Sequence, residues 1–110
     1  MTRSRDFKRV KEIGSVARHP LMVLVFARNE EKSSRVAVVA SKKIGNAVVR
    51  NKVKRRLRAS LDLIWRRMIP SWDLIFYARP VITKATFEEI QQAIGCLLTQ
   101  TDLIDDEIKC

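Results

Sequence analysis

Residues 41–58 read Ser-Lys-Lys-Ile-Gly-Asn-Ala-Val-Val-Arg-Asn-Lys-Val-Lys-Arg-Arg-Leu-Arg, and the fold turns on what this stretch becomes. After Gly45, residues Val49, Val53, Leu57, Leu61, Ile64, Trp65 and Met68 recur at steps of three and four. That spacing lines one side of an amphipathic α-helix of about six turns. Asn46 stands where an N-cap belongs, and the run ends near Ile69-Pro70-Ser71.

The polar side of this helix is unusual. From Lys32 to Leu61 there are 10 basic residues and no acidic one, whereas the rest of the chain balances 12 against 12, so the whole net charge of +10 sits in this one window. Six of the cations, Arg50, Lys52, Lys54, Arg55, Arg56 and Arg58, occupy the first half of the helix, where the macrodipole favours anions. Arg50, Lys54 and Arg58 also stack as like charges, at a cost of roughly 0.2–0.5 kcal/mol per pair in an isolated helix. A solvated charged face is the ordinary explanation of a basic run, but such faces interleave acids with bases. A helix start laid on phosphates gains from this arrangement, because N–H groups, dipole and side chains all meet negative charge.

Working outward, Ser4-Arg5-Asp6-Phe7 opens a short helix that Gly14 stops, and His19-Pro20 is a turn. Leu21–Ala27 and Arg35–Ala40 are apolar runs of strand length, expected to pair as an antiparallel hairpin across the polar loop between them. Trp72–Ala78 is a third strand, and Thr86-Phe87-Glu88-Glu89 is a capping box opening a last helix with a buried stripe of Phe87, Ile90, Ile94, Leu97 and Leu98. The order αββαβα defines an α+β fold: a small sheet of three clear strands and a candidate short fourth, with helices packed on one face. If the strands flanking the basic helix are parallel neighbours, the general rule gives a right-handed crossover.

The 110 residues, 46% of them hydrophobic, are read as a single domain over 1–110 whose end, 102–110, frays. No run approaches the ~18–20 apolar residues of a membrane span and no signal-peptide core stands at the start, so a cytoplasmic protein is expected. Cys96 reads as a small buried residue, and one histidine with no cysteine pair at ligand spacing argues against a metal site. No nucleophile–base constellation, carboxylate pair or phosphate-binding glycine loop is present, so no residue is assigned a catalytic role. Nucleic-acid binding does have its parts: cations for phosphates, Asn51 for a base edge or phosphate, and Phe26, Phe76 and Tyr77 as strand aromatics. Core packing is the expected role of two of those three, and Phe76 and Tyr77 must point to opposite faces.

The same stretch resembles the signature of the bacterial ribonuclease P protein subunit family, in the pattern Arg50-Asn51, Lys54-Arg55 and Arg58. Asp6-Phe7-Lys8-Arg9-Val10 and Asp73–Arg79 fall where that family has its first helix and last strand. The resemblance implies a small basic cofactor of a catalytic RNA that removes the 5′ leader from precursor tRNA, an endoribonuclease only as a holoenzyme, with Mg2+ held mainly by the RNA. It assigns contact with the catalytic RNA to Lys42, Lys43, Asn46, Arg50, Asn51, Lys54, Arg55 and Arg58. A leader-binding cleft between first helix and sheet falls to Phe7, Val10, Lys11 and Phe26. Many members carry an aromatic where this chain has Lys11, and another in the strand where it has Leu24 with Phe26 nearby. The family has an unusual left-handed βαβ crossover, of a type shared with a ribosomal protein domain, and this is preferred to the general rule.

The expected partners are therefore the catalytic RNA and precursor tRNA, with no membrane and no protein partner required. A ribosome-associated RNA-binding or RNA-chaperone domain of similar topology is the alternative. A membrane-surface role is disfavoured, since the apolar side of the basic helix is needed for the core.

Overall fold

The computed structural model describes residues 4–30, 32–64, 70–101 and 103, with residues 4–7 defined by backbone alone. It contains α1 (Ser4–Ile13), β1 (Ser15–Arg18), β2 (Met22–Arg28), β3 (Arg35–Val39), α2 (Ala47–Ile64), β4 (Trp72–Ala78), a 3₁₀ turn (Pro80–Lys84) and α3 (Phe87–Gln100). The strands form one sheet in the order β1-β2-β4-β3. β1 and β4 both pair antiparallel with β2, and β3 runs parallel to β4, so β3-α2-β4 is a crossover between neighbours.

This order corrects the expected hairpin of β2 with β3, because β4 lies between them. Leu74, Ile75 and Phe76 are all fully buried, so β4 is apolar on both faces and belongs in the middle of the sheet. The tight hairpin is instead β1-β2, which makes β1 the short fourth strand. His19 and Met22 exchange backbone hydrogen bonds of 2.9 and 3.2 Å around its turn. His19 Nδ1 accepts the Leu21 N–H at 3.1 Å, confirming this histidine as a turn residue. Burial, and then the Arg79 charge, lower its pKa and favour the neutral ring that this acceptor role requires.

Side-chain alternation divides the core in two. Met22, Leu24, Leu74 and Phe76 face α2 and α3, against Val53, Leu57, Leu61, Ile90 and Ile94. Val25, Ala27 and Ile75 face the other way, against Val10 of α1. The helices are thus not all on one face as expected: β2 and β4 are apolar on both sides, and α1 covers the second. Gly14 makes this possible, since a Cβ there would lie 2.2 Å from the Val10 carbonyl oxygen and 3.0 Å from that of Phe26.

The capping box of α3 is present: Thr86 Oγ1 accepts the Glu89 N–H at 3.1 Å, and Glu89 Oε1 accepts the Thr86 N–H at 2.9 Å. Of the expected stripe, Ile90, Ile94, Leu97 and Leu98 are buried, as is Cys96, but Phe87 is only half-buried. Leu103 is buried; the rest of the expected frayed end, and the extension of α2 through Trp65 and Met68, lie outside the described residues.

Candidate nucleic-acid interface

The basic helix is set by the residues just before it. A turn closed by the Ile44 N–H donating to the Ser41 carbonyl at 3.0 Å leaves Lys42 and Lys43 exposed. Gly45 then takes φ 153°, where a Cβ would press on Val49 at 3.1 Å. Asn46 caps α2 as expected, its Oδ1 accepting the Val49 N–H at 3.0 Å. With Val53, Leu57, Leu61 and Ile64 buried, geometry turns Asn51, Lys52, Arg55 and Arg58 outward and leaves Arg50 and Lys54 half-buried on one flank.

Among the described residues, both ion pairs end on Asp73, far from this surface in sequence and on another element. None of Lys42, Lys43, Arg50, Lys52, Lys54, Arg55 or Arg58 pairs with a carboxylate in that set, and Asp62, the first acid after the window, stands exposed. Arg56 is different: half-buried, it donates to the Ala85 carbonyl at 3.2 Å and ties α2 to the start of α3. Of the eight residues that the resemblance assigns to the RNA, Arg50, Asn51, Lys54, Arg55 and Arg58 share one face of α2, Lys42 and Lys43 are exposed in the turn before it, and Asn46 is occupied as the cap.

The predicted cleft is only partly assembled from the expected residues. Val10 is fully buried beneath α1, Lys11 is exposed, and the Phe7 side chain lies outside the described residues. Phe26 is not in this cleft: it shares strand parity with Met22 and Leu24, and packs on the α2/α3 side with its ring 5.9 Å from that of Trp72. Phe76 is core on that same side. The sheet aromatic facing α1 is Tyr77, half-buried, with Lys11 Nζ 5.7 Å from its ring centroid.

Sequence reasoning missed the group that anchors α1. Asp73 is fully buried and accepts hydrogen bonds from Arg9, from Asn29 Nδ2 at 2.8 Å, and from two Arg35 nitrogens at 2.8 Å. Burial alone would push its carboxyl up. Hydrogen bonds from Arg35 and Asn29, the Arg35 charge and the Arg9 hydrogen bond outweigh it and hold the pKa below the usual aspartate range. Beside it opens a cleft of about 610 Å³ lined by Arg9, Ile13, Arg28, Asn29, Glu30 and Arg35. The signal was in the sequence: a lone acid inside the apolar strand Trp72-Asp73-Leu74-Ile75 must be paired if it is buried.

A continuous cationic helix face, with an arginine-lined cleft across the sheet, defines a small α+β module built to hold a polyanion. Residues 1–102 match the family model described as Ribonuclease P. The chain is 41% identical over 102 residues to the ribonuclease P protein component of Herpetosiphon aurantiacus, covering 93% of this chain and 83% of that protein. It is 33% identical over 107 residues to that of Caldanaerobacter subterraneus subsp. tengcongensis, covering 97% and 92%. The solved Staphylococcus aureus RNase P protein superposes with a TM-score of 0.87 at 27% identity, over 96% of each chain. The chain belongs to the ribonuclease P protein family.

Proposed function

We propose that this chain is the protein subunit of the ribonucleoprotein ribonuclease P, which removes the 5′ leader of precursor tRNA. The observation that carries the reading is the acid-free face of α2, whose cations have no carboxylate partners among the described residues. Lys42, Lys43, Arg50, Asn51, Lys54, Arg55 and Arg58 bind the catalytic RNA, releasing counterions from its phosphates. The leader lies between α1 and the sheet, with Tyr77 as a stacking surface and Lys11 beside it for phosphate. The protein thus screens repulsion between two RNAs and holds the substrate strand, while hydrolysis belongs to the RNA.

Magnesium supplies the charge stabilisation for that hydrolysis and is assigned to the RNA. Among the described residues no three His, Cys, Asp or Glu side chains come together, and buried Asp73 is committed to Arg9, Asn29 and Arg35. Among those residues no helix is long and apolar enough to cross a membrane, and the reading places the protein in the cytoplasm with its RNA.

Reconstitution with the catalytic RNA and a precursor tRNA tests the assignment. Arg50→Ala and Arg55→Ala should each weaken assembly and reduce the slope of log affinity against log salt by about 0.9 for each phosphate no longer neutralised. Unchanged cleavage by both variants at low magnesium would count against these roles.

A further inference from the structure

A groove of about 310 Å³ opens between α2 and the first turn of α3, lined by Lys52, Arg55, Arg56, Ala59 and Phe87. Its walls are fixed. Phe87 is the first residue of α3, directly behind the Thr86–Glu89 capping box, and the Arg56 guanidinium is tethered to the Ala85 carbonyl at 3.2 Å. Ala59 keeps the floor low, while Lys52 and Arg55 stand exposed at the mouth. The contact between α2 and α3 is already made by Leu57 and Leu61 with Ile90 and Ile94, so the half-buried Phe87 ring is not needed to close the core.

At helical spacing Lys52 and Arg56 lie on the flank of α2 opposite Arg50 and Lys54, so this is a second edge of the cationic helix. An aromatic face between cations is the chemistry that takes an unstacked base with its phosphates, since stacking accepts any base and the cations track the backbone. Two acids are near. Glu89 is held in the capping box, and Glu88 is exposed on the first turn of α3. An acidic peptide would use the cations but has no need of the ring, whereas the groove is continuous with a surface already suited to RNA.

We infer that this groove holds one unstacked nucleobase from a single-stranded segment of the catalytic RNA, stacked on Phe87, with the flanking phosphates on Lys52 and Arg55. The inference rests on the RNA-partner reading above and extends it to α3.

The test measures affinity of the full-length protein for the catalytic RNA alone, across a salt series. Phe87→Leu should weaken binding by about 5- to 150-fold with the salt slope unchanged, because stacking releases no counterions. Lys52→Gln should lower the slope by about 0.7 instead, the value for a single-strand phosphate. Phe87→Trp, which keeps an aromatic face, should retain the affinity that Phe87→Leu loses. Equal losses in Phe87→Trp and Phe87→Leu would make the residue a packing group and overturn the inference. If Arg50→Ala weakens binding and Phe87→Leu does not, the groove is refuted while the RNA partner stands; if neither does, both readings fall. An effect of Phe87→Leu seen only when precursor tRNA is added would also refute the assignment to the catalytic RNA.

Discussion

Asp73→Asn should cost this small protein a large part of its stability and release α1 from the sheet. The carboxylate accepts four hydrogen bonds from Arg9, Asn29 and Arg35. An amide of the same shape keeps one acceptor oxygen, removes the charge and turns an NH2 group towards guanidinium donors. Breaking one side of a buried pair costs about 3–5 kcal/mol. The Arg9 and Arg35 side chains retain 33% and 30% of their exposure, so water can recover part of that, and about 2–4 kcal/mol remains. For a chain of this size that corresponds to a fall in Tm of about 10–20 °C. Urea unfolding gives the energy, and amide exchange in α1 gives its location, because Arg9 and Val10, with Lys11 over the Tyr77 ring, hold the helix to the sheet. Since folding lowers the Asp73 pKa, its contribution is fully present above the ordinary aspartate range and is lost as pH falls through the lower folded value. The two proteins should therefore differ by a constant amount from about pH 5 to 8 and converge below about pH 4. A loss under about 1 kcal/mol at neutral pH, with α1 exchange unchanged, would refute the hub.

Three further outcomes rest on single residues. Gly45→Ala forces a side chain into positive φ and against Val49, and should cost about 1–3 kcal/mol in thermal unfolding while weakening binding of the catalytic RNA. Tyr77→Leu should weaken binding of precursor tRNA by the reconstituted holoenzyme by about 5- to 150-fold, with binding of leaderless tRNA unchanged; equal losses for both would remove Tyr77 from the leader cleft. His19 has a lowered pKa when folded, so stability should be full above about pH 6.5 and decline as pH falls through that value. His19→Asn, which can still accept the Leu21 N–H, should flatten that decline in pH-dependent unfolding curves.

What could be read in advance was local. The α2 cap at Asn46, its buried edge and the capping box at Thr86 are relations between residues three or four apart, and each is present in the fold. Strand order was not legible, because β2 meets β4 across some fifty residues of chain, as in Leu24 opposite Phe76, and no short-range pattern encodes that pairing. The misplacement of Phe26 has the same origin. Alternation shows that Phe26 and Leu24 share a face, but only the docking of α1 through Val10 and Asp73 decides which face carries the cleft. Phe87 fits the periodic stripe of α3, yet at the first helical position it falls beside Ala59, at the edge of the core.

The cost of concentrating charge on α2 can be set against what holds the helix down. Two like-charge steps from Arg50 to Lys54 to Arg58 cost roughly 0.4–1 kcal/mol together, and Arg50, the one cation in the first turn, opposes the dipole by about 0.3–1 kcal/mol. Burying Val53, Leu57, Leu61 and Ile64 returns about 1.5–3 kcal/mol apiece as an upper estimate. The apolar edge exceeds the charged edge several-fold, so α2 stays in place with its cations uncompensated. The surface is consequently organised before the RNA arrives, and association spends less on ordering its backbone than a basic segment that folds on binding. The fold thereby gives the repulsion a use: charges held apart from acids by a rigid, well-anchored helix remain available to phosphate.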